Sequence, residues 1–371
     1  MTTNVQPAEL LDVEPLLARP PYSMAKAEKG RMLAQQLSAL TLFHAARCQA
    51  YGAMLKLLGG FSAPASSVED IPFIPVRLFK THQLMSVEPA AVVKTMTSSG
   101  TSGQQVSHIY LDRSAAALQT KVLAKIVASF IGNKRLPMLV VDAPSTLKDR
   151  SKFSARAAGI LGFSMFGHDV HYALDDKLQL DLPGIRAFLE KHPAGDILVF
   201  GFTSIIWQYL YQPLLASGAQ LPLERAILIH GGGWKKLTDQ AVDSAAFNRS
   251  LQAVCGMRKI HNYYGMVEQT GSIFMECEQG HLHASIYSDI VVRDHRDFSA
   301  LPVGQSGLVQ LVSLLPRSYP GHSLLSEDVG TLLGEDDCPC GRLGKTFRIS
   351  GRIAQAEIRG CSDVQAASSS S

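Results

Sequence analysis

Apolar positions recur at three- and four-residue steps from residue 25 to residue 58, which predicts a helix. Residues 71–80, IPFIPVRLFK, are apolar but broken by proline, the mark of a packed loop or an edge strand. A polar turn, TSSGTSGQQ (97–105), follows. SHIYLD then alternates like a strand, and Arg113 to Ile131 like a helix. Three later runs, PMLVVDAP (137–144), DILVFGF (196–202) and RAILIHGGG (225–233), are continuously apolar and end in glycine, proline or polar residues. Strands of a mostly parallel sheet covered on both faces read this way. After the second of them a helix capped by Thr203 or Ser204 and ending near Pro213 is expected. From about His281 the pattern shortens. HASIYSDIVVRD, SGLVQLVSLL, VGTLL and TFRISGR read as short strands with turns between them. The fold class is therefore α/β first and β-rich later, with no repeat of fixed period. The tail AASSSS is expected to be disordered.

Composition narrows the classes. Hydrophobic residues are 46% of 371 and charged residues 18%, far from the profile of a disordered chain. Lys+Arg is 35 and Asp+Glu is 32, a net charge of +3, too slight for a dedicated nucleic-acid binder. The N-terminus has no basic region leading into an apolar run, so no secretory signal is expected. The uncharged stretch from Ile197 to Ala219 contains glycine, proline and several hydroxyl and amide side chains, and reads as a buried strand and helix, not a transmembrane segment. Six cysteines without a secretory signal imply reduced thiols and a cytoplasmic location.

Three elements carry candidate chemistry. Thr97, Ser98, Ser99, Gly100, Thr101, Ser102 and Gly103 combine hydroxyls with glycines, which let the backbone approach an anion and offer neutral donors to a di- or triphosphate. Alone, that composition equally describes a polar surface turn. Gly231, Gly232 and Gly233 follow a strand at its C-terminal end, where open α/β sheets bind ligands. In NYYGMVEQTG (262–271), Tyr264 before Gly265 offers a ring to stack on a base, and Glu268 a hard oxygen for magnesium.

A separate constellation suits zinc. Cys277 and His283 flank the turn ECEQGHLH, and Cys338 with Cys340 forms a Cys-Pro-Cys-Gly knuckle. Three thiolates and an imidazole satisfy a closed, structural tetrahedral site, with His281 as a competing ligand; free thiols in turns are the alternative. His168, His171 and His230 are further candidates, the last beside the glycine cluster.

The ordered set resembles the adenylate-forming superfamily of acyl-CoA synthetases and their relatives. The resemblance implies that the Ser/Thr/Gly loop holds ATP phosphates, that Tyr264 stacks adenine and that Glu268 binds Mg²⁺. It also implies that Asp328 in SEDVG holds the ribose hydroxyls and that Arg352 in ISGRIAQAEIRGC stands beside the hinge. Two features depart from the superfamily. Gln104 and Gln105 stand where a lysine often closes the phosphate loop, leaving the charge to magnesium, amides or a remote base such as Lys235. Gln355 replaces the hinge aspartate.

More closely, PFIPVRLFK, TSSGTSG, HGGGWK, NYYGMVEQTG, CPCGR and AEIRGCSD resemble the acyl-protein synthetases of bacterial luciferase systems (LuxE). That resemblance implies an adenylation domain over residues 1–350, an arm over 351–363, a tail over 364–371, and no usual C-terminal domain. It implies a long-chain fatty acid as substrate, acyl-AMP as intermediate, Cys361 as the acylated nucleophile, and a LuxC-like acyl reductase as partner. The phenylacetate-type ligases share the cysteine–histidine spacing, and some hold zinc there. Competing readings are a carboxylate–CoA or carrier-protein ligase and a non-enzymatic binding subunit.

Overall fold

A computed structural model describes residues 12–61, 64–98, 105–148 and 155–353. The chain divides into two compact units. One is built on Val127–Tyr264, the other on the chain up to Ile126 together with Gly265–Phe274 and the residues from His283 on.

The Val127–Tyr264 unit is the α/β part that the continuous apolar runs predict. Its five strands lie parallel in the order Lys259–Tyr264, Ala226–Gly231, Ile197–Phe202, Leu136–Val141 and Gly167–Tyr172. Strands Ile197–Phe202 and Ala226–Gly231 are buried at every position, as expected for a sheet covered on both faces. Ile185, Phe188, Leu210, Leu214, Phe247 and Leu251 from the crossover helices close one core over them.

The helix after Ile197–Phe202 departs from expectation. It begins at Thr203 but continues past Pro213 to Ser217, and ends where Gly218 takes φ +68°. A wider π turn, Trp207–Tyr211, precedes the proline. That wider turn shifts the backbone bonding just where the proline offers no N–H. Thr203 does not cap the helix. Its hydroxyl donates to Gly231 O at 3.2 Å, so it accepts from His230 Nδ1–H at 2.9 Å.

The other unit carries an antiparallel run, Ser288–Arg293, Ser306–Ser313, Ser323–Glu335 and Lys345–Arg352, with Ile74–Pro75 added in parallel to the third strand. VGTLL, read as a short strand, is part of this longer third strand, which also contains SEDVG. A separate hairpin pairs Val92–Thr97 with His108–Asp112. The single helix expected over 25–58 is two, Lys26–Arg47 and Gln49–Leu57, separated by extended Cys48 at φ −112° and ψ 101°. The turn packs the second helix so closely that a Cβ on Gly52 would lie 2.6 Å from Ala45 O. Helix Arg113–Ile131 is long and apolar enough to cross a membrane by length and composition alone. It carries Lys121 and Lys125, however, and buries Ala115, Val122 and Ile126 inside the protein.

A buried histidine of the first long helix, His44, stacks on a second buried histidine, His322. The His44 and His322 rings lie 5.0 Å apart at 24°. Pro316 O can only accept, so His44 Nε2 carries the proton and Nδ1 accepts from Ser86 Oγ at 2.8 Å. Thr41 donates to Leu37 O and therefore accepts from His322 Nε2–H at 2.9 Å. Both rings are neutral. Burial pushes His44 down to about 3 and His322 well below the ordinary histidine range.

A pH dependence follows. The unfolded chain takes up protons on these histidines near pH 6.5 and the folded chain does not, so stability falls as pH drops below that value. Denaturant titrations at pH 7 and pH 5 should show a loss of roughly 2 kcal/mol per buried histidine. His322→Phe should reduce that loss; an unchanged pH slope in the variant would refute the assignment.

Candidate active site and metal cluster

Ser98 and Ser107 close the hairpin base from which the Ser/Thr/Gly loop springs. Ser98 N donates to Ser107 O at 3.2 Å, and Ser107 N donates to Ser98 Oγ at 2.9 Å. Ser98 Oγ keeps its own proton to donate. Thr97 ends the strand, paired with His108. Ser99, Gly100, Thr101, Ser102 and Gly103 lie outside the described residues, as does Gln104.

Glu268 stands in a one-turn helix, Val267–Gln269, and is only 6% exposed. Such a short element cannot place a buried carboxylate unaided; its neighbours hold it. Gln269 Nε2 donates to Leu311 O at 3.0 Å and to Gly321 O at 2.8 Å, both buried. Thr270 Oγ1 donates back to Val267 O at 2.8 Å. Gly271 takes φ +89°, and a Cβ there would sit 2.7 Å from Gln119 O, so only glycine fits. Burial pushes the Glu268 carboxyl above the usual carboxylate range, while Ser107 and the charges of Lys80 and Arg352 pull it back. Burial first, and then the Glu268 charge, push the Tyr319 phenol up. A buried carboxylate with a raised pKa and no ion-pair partner among the described residues is suited to a cation that arrives with a ligand.

Asp328 and Arg352, assigned separately in the sequence, are cross-strand neighbours. Arg352 Nε donates to Asp328 Oδ1 at 3.1 Å, with the arginine side chain 62% exposed and the aspartate side chain 13%. At that exposure the pair adds little stability. What it does is fix the direction of one Asp328 carboxylate oxygen. The next residue back, Glu327, pairs with Arg77 at 3.1 Å. Gln355 and Cys361, in the chain that follows this strand, lie outside the described residues.

The Val127–Tyr264 unit holds the remaining candidates. Gly231 closes its strand against an aromatic ring, and a Cβ there would lie 2.5 Å from Tyr263. Gly232, at φ +77°, faces the Phe202 ring at 3.1 Å. Packing excludes a side chain at Gly231 and the positive φ disfavours one at Gly232, while Gly232 and Gly233 are both exposed. Tyr264 ends its strand half-buried, and Gly265 follows, exposed. The Lys235 side chain is outside the described residues. His230 is buried and neutral, pushed down to about 3, and stacks on Phe247 at 4.6 Å. His171 stacks on Phe188, and His168 is exposed. The Thr203–His230 pair and the Gln269 anchor escape the sequence reading, because nothing in a lone threonine or glutamine signals which distant carbonyl it meets.

The cysteines and histidine converge as their spacing predicts. One ligand atom from each of Cys277, His283, Cys338 and Cys340 lies within 4.8 Å of the others. Cys340 Sγ is 3.4 Å from His283 Nε2. Both knuckles are shaped by backbone bonds: Gly280 N donates to Cys277 O at 2.9 Å and Gly341 N to Cys338 O at 3.0 Å. Gln279 N and Arg342 N point at the Cys277 and Cys340 sulfurs. Tetrahedral zinc with thiolates at about 2.3 Å needs ligand atoms about 3.8 Å apart, so small movements complete the site. His281 is not in the cluster; its carbonyl accepts from Cys277 N.

The model of one family, acyl-protein synthetase, LuxE, matches residues 3–368. A long-chain-fatty-acid–luciferin-component ligase of Aliivibrio fischeri is 25% identical over 306 residues, spanning 80% of this chain and 78% of that protein. The protein of the same name from Vibrio harveyi is 24% identical over 314 residues, spanning 81% and 79%. Among solved structures, an open conformation of 2-hydroxyisobutyryl-CoA ligase in complex with 2-HIB-AMP and CoA superposes with a TM-score of 0.67. It is 17% identical, with 94% of this chain and 81% of that one covered, a likeness of fold.

Replacing the buried charge tests the reading of Glu268. In metal-free buffer, Glu268→Gln should melt no lower than the parent at pH 7, because the neutral amide removes the cost of a buried carboxylate. Its advantage should shrink toward pH 4, where the unfolded carboxyl is itself protonated. Calorimetry showing a large loss of stability at pH 7 would contradict it.

Proposed function

Because the chain belongs to the acyl-protein synthetase (LuxE) family, we propose that it activates a long-chain fatty acid with ATP and carries the acyl group on Cys361. The family match across residues 3–368, which includes Cys361, carries this reading. In the first step the fatty-acid carboxylate attacks the α-phosphate of ATP, giving acyl-AMP and pyrophosphate. Thr97, Ser98 and the loop through Gly103 would hold the phosphates. Tyr264 would stack the adenine, and Asp328, aimed by Arg352, would take the ribose. Magnesium held by Glu268 would offset phosphate charge. The task of these groups is to align the carboxylate and stabilise charge at phosphorus. In the second step the Cys361 thiolate attacks the acyl carbon, forming the thioester and releasing AMP. A LuxC-like acyl reductase would receive the acyl group. Cys277, His283, Cys338 and Cys340 would hold zinc as a closed, structural site.

Labelled fatty acid with ATP and magnesium should leave hydroxylamine-labile label on the protein. Cys361→Ser should abolish it while retaining fatty-acid-dependent ATP–pyrophosphate exchange; thioester label on the variant would sink the assignment. Glu268→Gln should cut the exchange by roughly a hundredfold. For the metal, protein purified without a His tag should contain one zinc per chain. Cys338→Ser should lose it and melt several degrees lower, as expected when a structural metal is removed.

A further inference from the structure

The helix Gln49–Leu57 ends in a tip that nothing among the described residues covers. Leu57 is 88% exposed and Leu58 60%, the two most exposed large hydrophobic side chains among the described residues. Gly59 and Gly60 follow at φ +98° and +78°, and a Cβ on either would meet nothing within 4 Å. The tip therefore projects into open space. Its root does not: Tyr51 and Leu55 are buried with Cys48 and Phe79 in one core, and Phe61 packs against it from the far side of the tip. A helix rooted in the core thus presents Leu57, and its C-cap Leu58, to solvent at a cost in free energy.

Charge points to the occupant. Lys56 precedes the leucines and is exposed. The chain contains no aspartate or glutamate from Gly30 to Val68, while Arg31, Arg47 and Lys56 lie in that stretch. Two leucines flanked by a lysine are too small for a standard protein interface, which buries about 800 Å² per partner. They suit a bilayer, where apolar side chains enter the acyl boundary and a cation meets anionic headgroups.

We propose that the Lys56–Gly60 tip is an interfacial anchor that docks the protein on anionic lipid membranes. Its use, to draw a long-chain fatty acid from the surface where such acids partition, rests on the proposed function; the docking itself does not.

Flotation of the full chain with phosphatidylcholine vesicles, with and without phosphatidylglycerol, separates the two. The parent should float with the anionic vesicles, and added salt should weaken the association. Leu57→Asp with Leu58→Asp should reduce it by at least about tenfold, and Lys56→Glu should lower it on anionic vesicles only. The double variant should keep the parent's melting temperature and its exchange activity with a soluble short-chain acid. Absence of flotation by the parent, or equal flotation by the double variant, overturns the proposal. So does a parent that instead forms dimers, by sedimentation, that the double variant does not. Flotation without any acid-dependent exchange would leave the anchor standing and remove the ligase reading.

Discussion

Gln269 spends both amide protons on the carbonyls of Leu311 and Gly321, and the position of Glu268 depends on those two bonds. A one-turn helix has too few internal hydrogen bonds to resist the outward pull of a carboxylate toward water. The amide clamp supplies the resistance from the neighbouring residue. Gly321 extends the constraint, since a Cβ there would collide with Glu268 O at 2.8 Å and with the Tyr319 ring. Ser107 then links the Glu268 neighbourhood to the base of the Ser/Thr/Gly loop through its bonds with Ser98. One carboxamide thus holds the residue next to the candidate cation ligand, and Ser107 connects that neighbourhood to Ser98.

Elsewhere in the same unit, several buried ionisable groups are paired or neutral. Asp289 sits between Lys29 at 3.6 Å and Lys345 at 3.4 Å, and Lys345 reaches Glu69 at 3.2 Å. Its two lysine neighbours hold the Asp289 carboxyl below the usual range despite burial. Burial keeps His44 and His322 uncharged, and their carbonyl and hydroxyl partners fix the tautomers. Glu268 departs from this rule, with burial outweighing the charges around it. A buried carboxyl without an ion-pair partner is the kind of group that an arriving cation can pair.

Much of this could be read from residue order. Continuous apolar runs announced the parallel strands, since a strand covered on both faces has no polar side to show. Arg113–Ile131 followed from its helical spacing, and the Cys277, His283, Cys338 and Cys340 set from the short spans that local turns can close. The ordered motifs also pointed to the family. These features are local, or are order along the chain, and a sequence contains both.

What required the tertiary structure is pairing at a distance. Asp328 and Arg352 look like two separate motif residues until the strand register sets them opposite each other. That Gly231 also has to be glycine to clear the Tyr263 ring is seen only in the fold. The break at Cys48 needed the approach of Gly52 to Ala45, the neutrality of His44 and His322 needed their burial, and their tautomers needed Thr41, Ser86 and Pro316 around them. A sequence records which side chains are available. Steric exclusion and hydrogen-bond geometry act only between groups the fold has brought together, so their outcome is decided there.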